Sequence, residues 1–126
     1  MILVFGGAYQ GKMAYVLDRF GLSEEDVFRC RDTDVSTPAG RKVIYELDKW
    51  ILAQLRANRD ITKALPEFIE KNKDAIVICN DISCGVVPID ETARIWREAV
   101  GRSLAELSGI SDEVVRLFCG IPTRLK

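Results

Sequence analysis

The sequence contains no histidine among its 126 residues. Histidine is the side chain most often used for proton transfer near neutral pH, and it is the commonest metal ligand in proteins. Its absence excludes histidine-based acid–base catalysis, histidine-ligated metals and a covalent histidine intermediate within these residues. Any chemistry must therefore depend on other side chains, on backbone amides or on a bound ligand.

An excess of charge of either sign is also missing. The 18 Lys and Arg residues nearly balance the 19 Asp and Glu residues, which gives a net charge of −1. No broad basic field therefore points to a nucleic acid partner, and we expect none. No apolar run reaches the roughly 18 residues of a membrane span, and the short apolar start does not resemble a signal peptide. We expect a cytoplasmic protein without a membrane partner.

Cysteine is present but lacks a metal-binding pattern. Cys30, Cys79, Cys84 and Cys119 do not form two C-x-x-C pairs, and there is no histidine to complete a zinc site. Three of the four lie in or beside apolar runs, so we interpret them as small buried thiols in a reducing compartment. Cys84 falls in a predicted loop, Ile82–Pro88, and its role stays open.

Apolar runs alternate along the chain with segments of helical periodicity. The length and the 48% hydrophobic content predict a single domain over residues 1–126. We predict strands at Met1–Phe5, Val27–Cys30, Ala75–Cys79 and Val114–Cys119. We predict helices at Lys12–Phe20, Ala39–Asn58, Ile61–Asn72 and Asp90–Ser108, with Ala14 and Leu17 facing inward in the first and Gly21 and Gly109 ending the first and last. This alternation predicts an α/β fold with a parallel sheet of about four strands flanked by helices.

A phosphate-binding loop is predicted at the turn between the first strand and the first helix. Seven of eight positions fit the pattern G-x-x-x-x-G-K-[ST], which makes the expected fold P-loop NTPase-like. Amides at a helix N-terminus bind anions, and the lysine reaches the outer phosphates. The predicted nucleotide-binding residues are Gly6, Gly7, Ala8, Tyr9, Gln10, Gly11, Lys12 and Met13, with Lys12 also catalytic. The alternative is a glycine-rich connector with a solvated lysine.

The eighth position departs from the pattern. Met13 replaces the hydroxyl that holds Mg²⁺, and a thioether suits that hard cation poorly. ATP or GTP could still bind through the amides and Lys12, which leaves the Mg²⁺ site weakened and in need of another anchor. Asp81, directly after an apolar strand, is the candidate metal ligand. Its alternative role is that of a turn residue or helix cap.

Most of the chain resembles a known family. The stretch Asn80–Pro88 is similar to the N-E-V-G-x-G-I-V-P segment of the bifunctional adenosylcobinamide kinase / adenosylcobinamide-phosphate guanylyltransferase family of cobalamin biosynthesis. The stretch Trp50–Leu55 resembles its W-L-x-N-L helix, and Gly6–Lys12 fits its G-G-A-x-x-G-K-S loop. Further similarity lies at Ala93-Arg94, Trp96-Arg97-Glu98 and Gly120–Lys126. The resemblance implies a nucleoside triphosphate, a corrinoid substrate and a homo-oligomer. It also implies phosphorylation followed by GMP transfer through a guanylylated histidine.

The departures from that family all touch catalytic positions. The carrier histidine is absent, and the segment between Gly21 and Val43 that would hold it is short. The family's Mg²⁺-binding Asp, in V-D-C-L-T-x-W, aligns with Tyr45, while Asp48 is nearby but shifted. Asp81 stands in place of Glu. Three alternatives follow: a nucleotide-binding protein without catalysis, a divergent kinase that still phosphorylates a cobinamide-type substrate, and a non-catalytic oligomeric scaffold.

Overall fold

The computed structural model describes residues 1–83 and 89–126. Its strands are β1 (Ile2–Gly6), β2 (Val27–Arg29), β3 (Val43–Tyr45), β4 (Ile76–Asn80), β5 (Glu113–Phe118) and β6 (Ile121–Arg124). Its α-helices are α1 (Lys12–Phe20), α2 (Leu47–Arg56), α3 (Ile61–Lys71) and α4 (Glu91–Ile110), with a short 3₁₀ turn at Glu24–Asp26. Most of the predicted loop Ile82–Pro88, including Cys84, lies outside the described residues.

The strands form one sheet in the order β2-β3-β4-β1-β5-β6. Every pairing is parallel except that of β5 with β6, which is a hairpin. The predicted α/β fold with a mostly parallel sheet and flanking helices is confirmed. The predicted strand number is wrong, since the described part of the chain has six strands rather than about four. The two strands missing from the prediction are β3 and β6.

Strand β3 lies where the sequence predicts the start of a long helix. Val43 and Ile44 fit the helical periodicity that continues into Leu47 and Ile51, yet they pair with both β2 and β4. The helix therefore begins at Leu47 instead of Ala39. β-branched residues pack well on a pleated sheet, and burial on both faces of the sheet outweighs the periodicity.

The helix after the first strand has the predicted bounds. It runs from Lys12 to Phe20 and ends at Gly21, which has the left-handed φ of 63° expected of a glycine C-cap. Its buried face differs from the prediction. Val16 is fully buried, whereas Ala14 is exposed, because the sheet covers the helix one position away from the expected stripe.

The longest helix, α4, begins as predicted. Its N-cap is Asp90, whose carboxylate accepts a hydrogen bond from the amide of Ala93 at 3.1 Å. The prediction that Gly109 ends this helix is wrong, since the helix continues to Ile110 and ends at Ser111 in an extended conformation. No described helix is long and apolar enough to cross a membrane.

The sheet is buried on both faces, as continuous apolar strands predict. On one face, α2, α3 and α4 cover a cluster in which the rings of Trp50 and Phe68 lie 5.1 Å apart. On the other face, α1 covers a second cluster that includes Val4 and Val16. This two-sided packing fixes the carboxyl ends of β1, β3 and β4, where ligands bind in open α/β sheets.

Candidate phosphate-binding site

The glycine-rich loop joins the end of β1 to the start of α1, and its backbone depends on two glycines. A Cβ atom on Gly6 would clash with the carbonyl oxygen of Leu117 in β5. Gly11, the N-cap of α1, has a φ of 87° and approaches the backbone of Gly120. Tyr9 also has a left-handed φ, of 59°, and its side chain is fully exposed. The loop therefore has the tight curvature that a phosphate-binding turn requires.

Gln10 attaches this loop to the β5–β6 hairpin. Its backbone carbonyl accepts a hydrogen bond from the amide of Gly120 at 3.0 Å, and its side-chain oxygen accepts one from the amide of Cys119. Cys119 and Gly120 both have positive φ, as expected of a two-residue hairpin turn. This attachment could not be predicted from sequence patterns, because it joins residues more than 100 positions apart.

Lys12 is buried although it carries a charge. Its residue surface is only 5% exposed, and its Nζ donates to the carbonyl oxygen of Gly7 at 2.5 Å. Burial lowers the pKa of the Lys12 ammonium, although the nearby charge of Asp48 opposes this shift. The ammonium therefore lies at the base of the loop, where it is bonded to the loop's own backbone and only poorly solvated.

A cavity of about 360 Å³ opens between the loop and the end of β3. One wall, the loop wall, is formed by the predicted residues Ala8, Tyr9, Gln10, Gly11, Lys12 and Met13, together with Ala14. The other wall, the facing wall, is formed by Tyr45, Glu46, Lys49 and Asn80. Six of the eight predicted loop residues thus line one cavity, whereas Gly6 and Gly7 line a smaller one, and their role in nucleotide binding stays a prediction. Glu46 and Lys49 were missed because the prediction placed β3 inside a helix. Asn80 was missed because the prediction chose the next residue, Asp81, at the end of β4.

Glu46 is the single residue between β3 and α2. It takes a left-handed conformation, with φ 62° and ψ 51°, which an abrupt strand-to-helix turn imposes. One carboxylate oxygen lies 3.4 Å from Arg29 Nη1, and the other lies 3.8 Å from Lys49 Nζ. Both distances are long for ion pairs, so Glu46 holds these two cations only loosely.

The two helices that begin at the cavity share a feature that the other two lack. Neither α1 nor α2 has a side-chain hydrogen bond at its N-cap in the described structure. By contrast, Asp60 caps α3 and Asp90 caps α4 through hydrogen bonds to backbone amides. Uncapped first-turn amides carry partial positive charge, which suits α1 to an anionic ligand because its first turn has no acidic residue. At the start of α2, the carboxylates of Glu46 and Asp48 offset this charge.

Asp48 is the buried carboxylate next to the cavity. Its oxygens accept hydrogen bonds from the amide of Asn80 at 3.1 Å and from the Asn80 side chain at 3.4 Å. Its backbone carbonyl accepts one from Trp96 Nε1 at 2.8 Å. Burial raises the pKa of Asp48, and the hydrogen bonds from Asn80 oppose that shift. Asp48 thus joins α2 to the end of β4 and does not face the cavity directly.

The residues at the usual Mg²⁺ positions do not fit that ion. Met13 and Tyr45 line the cavity, but both also pack against the apolar cluster beneath α1. A thioether and a neutral phenol are poor ligands for Mg²⁺, and burial raises the pKa of Tyr45 further from neutrality. Within residues 1–83 and 89–126, no three Asp, Glu or Cys side chains lie together in a way that could hold a metal ion.

Asp81, the predicted metal ligand, lies on another side of the loop. Its amide donates to the carbonyl of Gly6 at 2.8 Å, and its carboxylate accepts hydrogen bonds from the amide and hydroxyl of Ser83. It lines a smaller cavity of about 140 Å³ with Gly6, Gly7 and Arg116. These bonds fit the alternative role of a turn residue, and its role as a metal ligand stays a prediction.

The fold and the loop together define a class of protein. A mostly parallel sheet whose first strand leads through a glycine-rich turn into a helix is a P-loop NTPase-like α/β fold. Residues 33–125 match the family model of cobinamide kinase / cobinamide phosphate guanyltransferase. Since this match covers most of the chain, the protein belongs to that family. No curated protein matches the chain.

Proposed function

We propose that the protein binds a nucleoside triphosphate, ATP or GTP, with its phosphates against the Gly6–Met13 loop. The observation that carries this proposal is the buried Lys12 ammonium at the base of a preformed loop that lines a 360 Å³ cavity. The uncapped amides of α1, whose first turn has no acidic residue, add partial positive charge to the same cavity. Membership of a cobinamide kinase family supports a nucleotide as the ligand.

Isothermal titration calorimetry with ATP and with GTP tests this proposal and determines which purine is preferred. We expect saturable binding that inorganic triphosphate competes away. Titrations with and without Mg²⁺ separate the contribution of the metal. Absence of heat at millimolar nucleotide, together with absence of competition, would reject the proposal.

Phosphorylation of a cobinamide-type substrate is a second candidate function, and family membership favours it. Phosphoryl transfer depends almost wholly on positioning and on neutralisation of charge, so it does not require a protein nucleophile. Guanylyl transfer through a histidine has no residue to carry it within these 126 residues. We therefore propose nucleotide binding as the conclusion and the kinase step as the activity to assay.

A single assay separates the enzyme from a binding protein. Adenosylcobinamide is incubated with ATP or GTP, and the phosphorylated product is measured in wild type and in Lys12→Ala. Product that depends on Lys12 would establish a divergent kinase. Tight nucleotide binding without product would indicate a non-catalytic role, and the absence of both would favour an oligomeric scaffold.

A further inference from the structure

We propose that Arg29 and Lys49 provide the positive charge that Mg²⁺ provides at other phosphate-binding loops, and that Glu46 holds these two side chains until a nucleotide binds. This inference rests on the proposed nucleotide binding and adds the counter-charge and its regulation. The ligand class is a nucleoside triphosphate free of metal. The supporting observations concern the facing wall of the cavity.

Both cations lie beside the cavity. Lys49 lines it directly, together with Tyr45 and Glu46. Arg29 is the register partner of Tyr45 in the neighbouring strand β2, so both side chains leave the same face of the sheet. The Arg29 guanidinium carbon lies 4.7 Å from the centre of the Tyr45 ring. Tyr45, which aligns with the family's metal-binding Asp, thus carries a cation over its ring.

The ion pairs that hold the cations are easily exchanged. Their N–O distances are 3.4 Å for Arg29 and 3.8 Å for Lys49, whereas a strong charge-assisted hydrogen bond spans about 2.7 to 2.9 Å. Neither cationic side chain is buried, so each can turn towards a new acceptor without a large desolvation cost. A triphosphate offers more negative charge than one carboxylate and accepts bidentate bonds from arginine.

The cavity and its immediate surroundings offer little to a metal ion. Met13 and Tyr45 lie at the two positions where Mg²⁺ ligands are expected, and both side chains pack against an apolar cluster. The Asp48 carboxylate is engaged by Asn80. Glu46 is left as the acidic group of the wall, and its two oxygens face Arg29 and Lys49. In the absence of a metal, this carboxylate opposes a bound phosphate.

The direction in which Glu46→Gln changes ATP affinity distinguishes two possible roles of Glu46. If Glu46 only holds the cations and repels phosphate, Glu46→Gln should tighten ATP binding in EDTA by about three- to tenfold. If Glu46 instead ligates Mg²⁺, the same variant should weaken ATP binding in Mg²⁺ and leave the EDTA titration unchanged. Glutamine has the same length and adopts the left-handed conformation at a cost similar to that of glutamate.

The experiment titrates ATP by calorimetry, in EDTA and in Mg²⁺, into wild type, Glu46→Gln, Lys49→Gln and Arg29→Gln. Two controls remove cations of similar exposure that pair with other acids. Lys71→Gln matches Lys49, because Lys71 pairs with Glu67 one turn away on α3. Arg56→Gln matches Arg29, because Arg56 pairs with Asp32 at a comparable exposure. Thermal melts of each variant establish that it is folded.

We expect wild type to bind ATP equally well in EDTA and in Mg²⁺. Lys49→Gln and Arg29→Gln should each weaken binding by about three- to tenfold, Glu46→Gln should tighten it, and both controls should leave it unchanged. Wild-type affinity in the Lys49 and Arg29 variants would overturn this inference and leave nucleotide binding intact. Binding that requires Mg²⁺ and weakens in Glu46→Gln would also overturn it, in favour of a metal ligand. Absence of binding in wild type would overturn the proposed function itself.

Discussion

The loop wall and the facing wall of the cavity of about 360 Å³ differ in how well they match the residues that the motif and the family resemblance predict. The loop wall includes Gly11, the uncapped N-terminus of α1 and the buried Lys12, which are features that the phosphate-binding motif predicts. On the facing wall, Tyr45 takes the position at which the resemblance to the family predicts a metal-binding Asp, and it packs against the same apolar cluster as Met13 of α1. We propose that the loop wall binds phosphate mainly through backbone amides, whereas metal binding depends on particular side chains.

We infer from this difference that the phosphate-binding loop and the metal site are separable parts of this fold. A phosphate-binding site made of backbone amides requires a curved backbone. The close approach of Gly6 to Leu117 and of Gly11 to Gly120 stabilises that curvature. A metal site requires oxygen ligands at fixed points, and the loop motif and the family resemblance predict two such ligands where Met13 and Tyr45 lie. The following predictions test whether the two walls behave independently.

Removal of the lysine should have the largest effect. We expect Lys12→Ala to weaken ATP binding by about 10- to 100-fold, because a buried charge-assisted hydrogen bond is worth about 1.5 to 3 kcal/mol. Calorimetric titration measures the change, and Lys71→Ala on the surface of α3 serves as the control. Unchanged ATP affinity in Lys12→Ala would mean that the loop wall does not bind the phosphates.

A change of loop backbone should act on stability. Gly6→Ala should lower the free energy of unfolding by about 1 to 3 kcal/mol, because its Cβ would press on the carbonyl of Leu117. Gly7→Ala is the matched control, since a Cβ there meets its nearest neighbour, the side chain of Gln10, at 3.6 Å. Urea unfolding of both variants checks the difference. Equal stabilities would contradict the contact between β1 and β5.

Restoring oxygen ligands at Met13 on the loop wall and at Tyr45 on the facing wall should make ATP binding depend on Mg²⁺. The double variant Met13→Ser with Tyr45→Asp should bind ATP roughly tenfold more tightly in Mg²⁺ than in EDTA, because one charge contact near a protein surface is worth about 1 to 4 kcal/mol. The single variants should show smaller differences. If the double variant is folded and its ATP affinity is the same in Mg²⁺ and in EDTA, positions 13 and 45 do not form a metal site.

Loss of the loop's attachment to the hairpin should have a modest effect. Gln10→Ala removes the acceptor for the Cys119 amide but leaves the backbone bond to Gly120. We expect ATP affinity to fall about threefold, as suits a single neutral hydrogen bond. Calorimetry measures the affinity, and amide hydrogen exchange at Cys119 should become faster. Slower or unchanged exchange would show that Gln10 does not hold the hairpin turn.

The pH dependence should be the smallest effect near neutrality. Burial lowers the pKa of Lys12 in the free protein, and a bound phosphate would raise it. Affinity should therefore be constant near neutral pH and fall as pH rises through the pKa of Lys12 in the free protein, which lies below the usual pKa of a lysine. ATP titrations from pH 7 to 10 measure this decline. Lys12→Met should remove it.

The sequence predicted the loop wall much better than the facing wall. The apolar run before Gly6 and the helix from Lys12 are local features, so periodicity and a short motif were sufficient to identify them. Strand β3 has only three residues, and its Val43 and Ile44 continue the helical periodicity of α2. That ambiguity concealed the one-residue turn at Glu46 and hence one wall of the cavity.

Long-range contacts could not be predicted in the same way. The attachment of Gln10 to Cys119 and the hydrogen bonds of Asp48 to Asn80 depend on the sheet order, which brings distant segments together. The prediction of Asp81 as a metal ligand followed from its position after a strand. Several neighbouring residues share that position, and it was Asn80 that came to line the larger cavity.

The most direct test of metal-free phosphate binding by the loop is a titration of the wild-type protein with ATP in EDTA, repeated in Mg²⁺. Our account predicts saturable binding of similar affinity in both conditions, since the amides and Lys12 hold the phosphates without a metal. Binding that occurs only in Mg²⁺, or no binding in either condition, would contradict it.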